Sequence, residues 1–175
     1  DNTDALRIIQ PTENYNFEVE MKLDDLPSAK DEMAGILVQQ DDANWLRFDF
    51  FHNGSSLRMN AAKTIDGKSS NVKVLSLNPG TATTGYLRVE RNGDKWTQSY
   101  SFDGDNWIIF HIYPQELEVS SSGIFVGNTI NSPTDYVARV DYFFNTAAPI
   151  DPEDQGNTID VDVVGQGQVE VSPLK

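Results

Sequence analysis

The 175-residue chain has no cysteine. That excludes disulfide frameworks, thiolate zinc sites and cysteine nucleophiles. Histidine is nearly absent too: His52 and His111 stand in or beside turn sequences, with no HExxH run and no metal-ligand spacing. Both read as surface or turn residues. Basic residues are few, 13 Lys and Arg against 27 Asp and Glu, for a net charge of −14. Such a field repels phosphate backbones and anionic lipid head groups, so neither nucleic acid nor a membrane is an expected partner. No stretch approaches the ~20 apolar residues of a bilayer span. Helical periodicity is lacking as well. The one plausible helical turn lies near Ser28-Ala29-Lys30-Asp31-Glu32.

What is present is a succession of short alternating runs broken by Gly, Asn, Asp and Pro. Residues 17–23, 35–40, 45–51 and 56–61 read as strands in the first half. In the second half 86–91, 95–101, 107–110, 123–127 and 136–144 do the same. Asn92-Gly93 is the strongest two-residue hairpin signal in the chain. Many short strands joined by tight turns predict an all-β fold, a β-sandwich or barrel. The expected organisation is a sandwich over 1–146, a Pro- and acid-rich linker over 147–157, and a hairpin over 158–175. That hairpin either packs back on the sandwich or, the favoured reading, starts a further module. The opening Asp1-Asn2-Thr3-Asp4 suggests a processed piece of a longer polypeptide.

Several pieces occur in a telling order: Arg7-Ile-Ile-Gln-Pro11, Asn16–Lys22, Gly35–Asp41, Asn44–Phe50, Tyr86–Arg91, Ser99–Trp107, Gly123–Asn128 and Val140–Phe144. Together they resemble a bacterial family of concanavalin A-like (laminin-G-like) jelly-roll domains, which implies a two-sheet antiparallel β-sandwich. These occur in secreted proteins and beside glycoside hydrolases such as β-xylosidases. The terminal Val164-Gly-Gln-Gly-Gln-Val-Glu-Val-Ser-Pro173 resembles the start of a secreted bacterial repeat domain. The resemblance implies an extracellular or cell-surface location and other domains in the same polypeptide. It does not choose a function, because such folds host lectins, binding modules, glucanases and spacers.

Catalysis has little support. Sandwich glucanases of this superfamily carry three carboxylates in a Glu-x-Asp-x-x-Glu-like run. The nearest match, Glu18-Val-Glu20, lacks the third. No catalytic residue is assigned. A sugar platform has more, since Trp, Tyr and fixed polar groups match the apolar and hydroxyl faces of sugar rings. By strand parity Leu46, Phe48 and Phe50 suit a core, while Trp45, Arg47 and Asp49 point the other way. Tyr86 and Arg88 share one parity, and Gln98 and Tyr100 share another. If these strands were neighbours on the concave sheet, they would form one aromatic and polar groove with Gln39 and Asn128 at its margin. Trp96 and Trp107 read as core residues.

A structural calcium ion is the one cofactor the acidic composition leaves open, and its ligands are unknown. Ser101-Phe-Asp103-Gly-Asp105 falls one residue short of an Asp-box spacing and reads as a turn. The expected function is a non-catalytic carbohydrate-binding module of a larger secreted protein, taking a neutral polysaccharide or oligosaccharide. The alternative is an adhesion or spacer domain without a sugar site. A glycoside hydrolase comes third.

Overall fold

The computed structural model describes residues 5–128 and 136–148, together with the backbone of 162–164. Its strands, in chain order, are β1 (Leu6–Pro11), β2 (Phe17–Leu23), β3 (Met33–Asp41), β4 (Asn44–His52), β5 (Leu57–Ile65) and β6 (Lys68–Ser76). They continue as β7 (Gly85–Asn92), β8 (Lys95–Ser101), β9 (Ile108–Pro114), β10 (Ser121–Gly127), β11 (Val140–Asn145) and β12 (Asp162–Val164). A seven-stranded sheet has the order β12-β1-β10-β3-β4-β5-β6, and a five-stranded sheet the order β11-β2-β7-β8-β9. Every pairing is antiparallel. The predicted all-β, two-sheet sandwich is what forms.

Alternation decides the core. One parity of each central strand meets the other sheet: Ala34, Ile36 and Val38 on β3, Leu46, Phe48 and Phe50 on β4, Leu87 and Val89 on β7. Trp96 fills the centre, edge-on to Phe17 and tilted against Phe48. Its indole N–H donates to the Gln115 carbonyl at 2.8 Å, so its one polar atom is satisfied.

A second apolar cluster lies on the outer face of the seven-stranded sheet. Ala5, Met33, Leu37, Trp45 and Phe125 pack there, with Ile9 and Phe51 against them. Gly35 makes this face possible: a Cβ at Gly35 would lie 2.1 Å from the Phe48 carbonyl oxygen and 2.6 Å from the Asp49 Cα.

Several details differ from the sequence expectations. Residues 28–32 form a tight turn without a helix; the Glu32 carboxylate accepts the Ser28 and Ala29 amides, each at 2.8 Å. β6 is a strand that alternation did not reveal, because Lys-Ser-Ser-Asn carries no apolar signal on an edge that buries little. Most of the expected linker and terminal hairpin lies outside the described residues. The described part, 162–164, runs antiparallel to β1 at the edge of the seven-stranded sheet.

Candidate functional site

The outer face of the seven-stranded sheet carries a line of polar side chains across three adjacent strands. Register places Gln39 opposite Trp45, Asp49 opposite Asn60, and Arg47 opposite Ala62. Arg47 Nε lies 2.9 Å from Asp49 Oδ1, and Asn60 Nδ2 donates to the same oxygen at 3.1 Å. The Arg47 guanidinium also sits over the Phe125 ring, 5.6 Å from its centroid. Asp49 is 0% exposed and Asn60 2%, yet these are not core positions between the sheets. Burial pushes the Asp49 carboxyl up, against the opposing pull of Arg47 and Asn60.

The network is incomplete within the chain. Asp49 Oδ2, Asn60 Oδ1, Gln39 Oε1 and Arg58 Nε are buried without a hydrogen-bond partner. Three acceptors and one donor therefore share one face, and each unmet group costs about 1–3 kcal/mol. Arg47 is the most accessible of the bonded trio, with 19% of its side chain open.

The opposite outer face, on the five-stranded sheet, is built differently. The Arg88 guanidinium lies 3.8 Å over the Trp107 ring, and Arg88 Nε is 2.6 Å from Glu20 Oε2. Tyr142 donates to Glu20 Oε1 at 2.7 Å, and Tyr86 meets Trp107 edge-on. Both Glu20 oxygens are thus engaged, and this carboxylate is a structural anchor. A third feature is a cleft of about 750 Å³ at one end of the sandwich, lined by Glu32, His52, Leu57, Leu77 and Tyr136 among others.

The model of the "Beta xylosidase C-terminal Concanavalin A-like domain" family matches residues 5–132. The chain belongs to this family. The family is an accessory domain of such enzymes and is distinct from their catalytic domain. Among solved structures, the chain is similar to the GH43 BlXynB protein from Bacillus licheniformis. The TM-score is 0.65 at 21% identity, over 77% of this chain and 28% of that one. A xylan β-1,4-xylosidase from Bacillus halodurans gives 0.63 at 16%, over 78% and 28%. The carbohydrate-binding module CBM66 from Bacillus subtilis gives 0.50 at 13%, over 69% and 70%. These likenesses concern the fold. The chain spans 28% of the length of either xylosidase. No curated protein sequence matches it.

Within this accessory-domain frame the expected groove divides in three. Trp45, Arg47, Asp49 and Gln39 do share one face, but Trp45 packs into the outer apolar cluster instead of offering an open platform. Tyr86 and Arg88 lie on the other sheet's outer face. Gln98 and Tyr100 point between the sheets, which corrects their placement in a surface row. The turn at Gly93-Asp94 pairs Gln98 with Val89 and Tyr100 with Leu87, and those partners are core. Gln98 Nε2 instead reaches across to donate to the Asn60 carbonyl at 3.2 Å.

Asn128 follows β10 at the end where Gly127 faces Met33, while Gln39 faces Ser121 at the other end. The two do not share a margin. Trp107, expected in the core, lies on the five-stranded sheet's outer face against Arg88. Sequence reasoning missed Asn60 and Arg58 altogether. Alternation within Leu57–Ile65 could have shown that Asn60 opposes the core parity of Met59 and Ala61.

Asp103 is a turn former, as expected. Asn106 Nδ2 donates to its Oδ2, and its Oδ1 accepts the Asn106 amide, the Ser101 hydroxyl and the Asp105 amide; together these hold its carboxyl well below the ordinary range. Among the described residues, no group of three or more His, Asp or Glu side chains is placed to hold a metal.

Proposed function

We propose that this domain is a non-catalytic carbohydrate-binding module of a larger, extracellular polysaccharide-active polypeptide. It would take a neutral glycan of the xylan or β-glucan class through Arg47, Asp49, Asn60 and Gln39. The observation that carries this reading is the alignment of buried, unpartnered acceptors and a donor on one outer face. A saccharide hydroxyl both donates and accepts; the part-open Arg47 guanidinium is the group it meets directly, and the buried Asp49 and Asn60 oxygens join only where side chains at this face move aside. Family membership supports the setting, since the domain accompanies β-xylosidases. Native affinity electrophoresis tests it. Retardation in xylan or β-glucan gels, weakened by Arg47→Ala in a folded variant, is expected. Equal mobility of wild type in gels with and without these glycans overturns it.

A second reading has its own support. Trp45 is buried in an apolar cluster, and Arg47, Asp49 and Asn60 already contact one another. A spacer or adhesion domain without a sugar site would look the same on this face. The same gels separate the two.

A further inference from the structure

The net charge of −14 hides a sharp segregation. Between Phe50 and Val89 the sequence holds a single acid, Asp66. β5, β6, β8 and β9 contain no Asp or Glu but include Arg58, Lys63, Lys68, Lys73 and Lys95. None of these five has an ion-pair partner among the described residues. Lys22, Lys30, Arg47, Arg88 and Arg139 each have a carboxylate within 4.0 Å.

The unpaired lysines concentrate where the edge strands β6 and β9 flank the open side of the sandwich. Lys73 Nζ crosses from β6 to donate to the Phe110 carbonyl at 2.9 Å and lies over the Phe110 ring. Lys63 Nζ donates to Gln115 Oε1 at 2.9 Å. Gln115 in turn donates its amide to the Asp94 carbonyl, one residue before Lys95. Phe110 and Gln115 are five residues apart along β9 and its exit, roughly 16 Å of extended chain. Both lysine acceptors are neutral, so each ammonium is held in place with its charge uncompensated and two N–H donors remaining.

We infer that this β6/β9 rim is a second binding surface, and that it takes an anionic polysaccharide chain carrying carboxylates at regular intervals, a polyuronate. The inference rests on the domain's role with polysaccharides but uses a different surface from the Arg47 face. A polymer with repeated carboxylates engages several fixed cations at once, and binding of linked groups gains from effective concentration. At physiological ionic strength the Debye length is about 8 Å, so acids beyond the rim are screened, while Asp66 and Asp94, beside Lys68 and Lys95, offset part of the charge there and leave Lys63 and Lys73 as its centre.

The rim's aliphatic side chains also favour a slender polymer over a folded acidic protein. Val74 takes the outer parity of the seven-stranded sheet, opposite Asn60. Ile109 and Ile112 take the outer parity of the five-stranded sheet, opposite Ser99 and Thr97. Leu75 and Ile108, also exposed, take the inner parity opposite Met59 and Tyr100, so the rim's exposed aliphatics divide among three directions instead of lining one flat face of the kind a stable protein interface uses.

The test is native affinity electrophoresis of the full chain in gels containing polygalacturonate, neutral xylan or poly-glutamate, each at low and high salt. Expected is retardation by polygalacturonate that fades with salt and is lost in a Lys63→Gln/Lys73→Gln/Lys95→Gln variant. A Lys68→Gln/Lys95→Gln variant, which alters only exposed residues, should retain its fold and show a partial loss. No retardation by polygalacturonate overturns the inference, as does undiminished retardation of both variants. Retardation by poly-glutamate alone also overturns it and assigns the rim to an acidic protein. Because xylan reports on the Arg47 face, xylan binding without polygalacturonate binding refutes this inference while sparing the neutral-glycan reading.

Discussion

Asn60 Nδ2 donates to Asp49 Oδ1 at 3.1 Å, from the residue directly opposite on the neighbouring strand. This one bond ties the buried carboxylate to β5, while Asn60's own backbone carbonyl receives Gln98 from the other sheet. The polar face is therefore joined to the core through Asn60, and its geometry depends on sandwich packing.

The Asp49 carboxyl sets a pH dependence. Its folded value is raised above the ordinary 3.8 by burial. A carboxyl raised on folding binds its proton more tightly in the native state, so its contribution declines as pH rises from the ordinary value through the raised one. Asp49→Asn removes that slope and keeps an oxygen to accept from Asn60. Urea unfolding across an acid-to-neutral pH series should show the variant gaining on wild type as pH rises through this window. A pH-independent difference contradicts the assignment.

Gly35 is expected to tolerate no side chain. In Gly35→Ala the new Cβ meets backbone atoms of β4, which cannot yield as a flexible side chain would. Stability should fall by about 2 kcal/mol or more. An unchanged denaturation midpoint would mean the β3–β4 spacing is wider than described.

Trp45 separates packing from recognition. As a 9%-exposed member of the outer cluster, it should cost about 3–5 kcal/mol when truncated to alanine. Trp45→Phe should recover most of that stability together with glycan binding. Retained stability in Trp45→Ala combined with lost binding would instead mark Trp45 as a direct sugar platform.

Glu20 lies on the other sheet and serves as a control. Glu20→Ala leaves the Tyr142 hydroxyl and Arg88 without their acceptor, at a cost of about 1 kcal/mol after allowing for the exposure of Arg88. Thermal unfolding should register the loss, and affinity for neutral glycans should not move. A matching drop in affinity would shift the site to the Arg88–Trp107 face.

The sequence carried the fold well because strand alternation and turn residues are local signals. The parity of Leu46, Phe48 and Phe50 separates core from outer face on β4, and Asn92-Gly93 marks the β7–β8 hairpin. The site was less legible, because parity within a strand does not say which face its alternate residues join. Trp96, Gln98 and Tyr100 share a parity, but only the pairing with Leu87 and Val89 shows that it is the inner one. Strand order across the sheet puts Asn60 against Asp49, and no local pattern encodes that order.

The most direct measurement is the affinity of wild type and Arg47→Ala for xylan and β-glucan, with circular dichroism to establish that both are folded. The account predicts measurable wild-type binding to one of these neutral glycans and a loss of about tenfold or more in the variant, as expected for a charged hydrogen-bond donor. Wild-type and variant affinities that coincide would contradict a sugar site on this face.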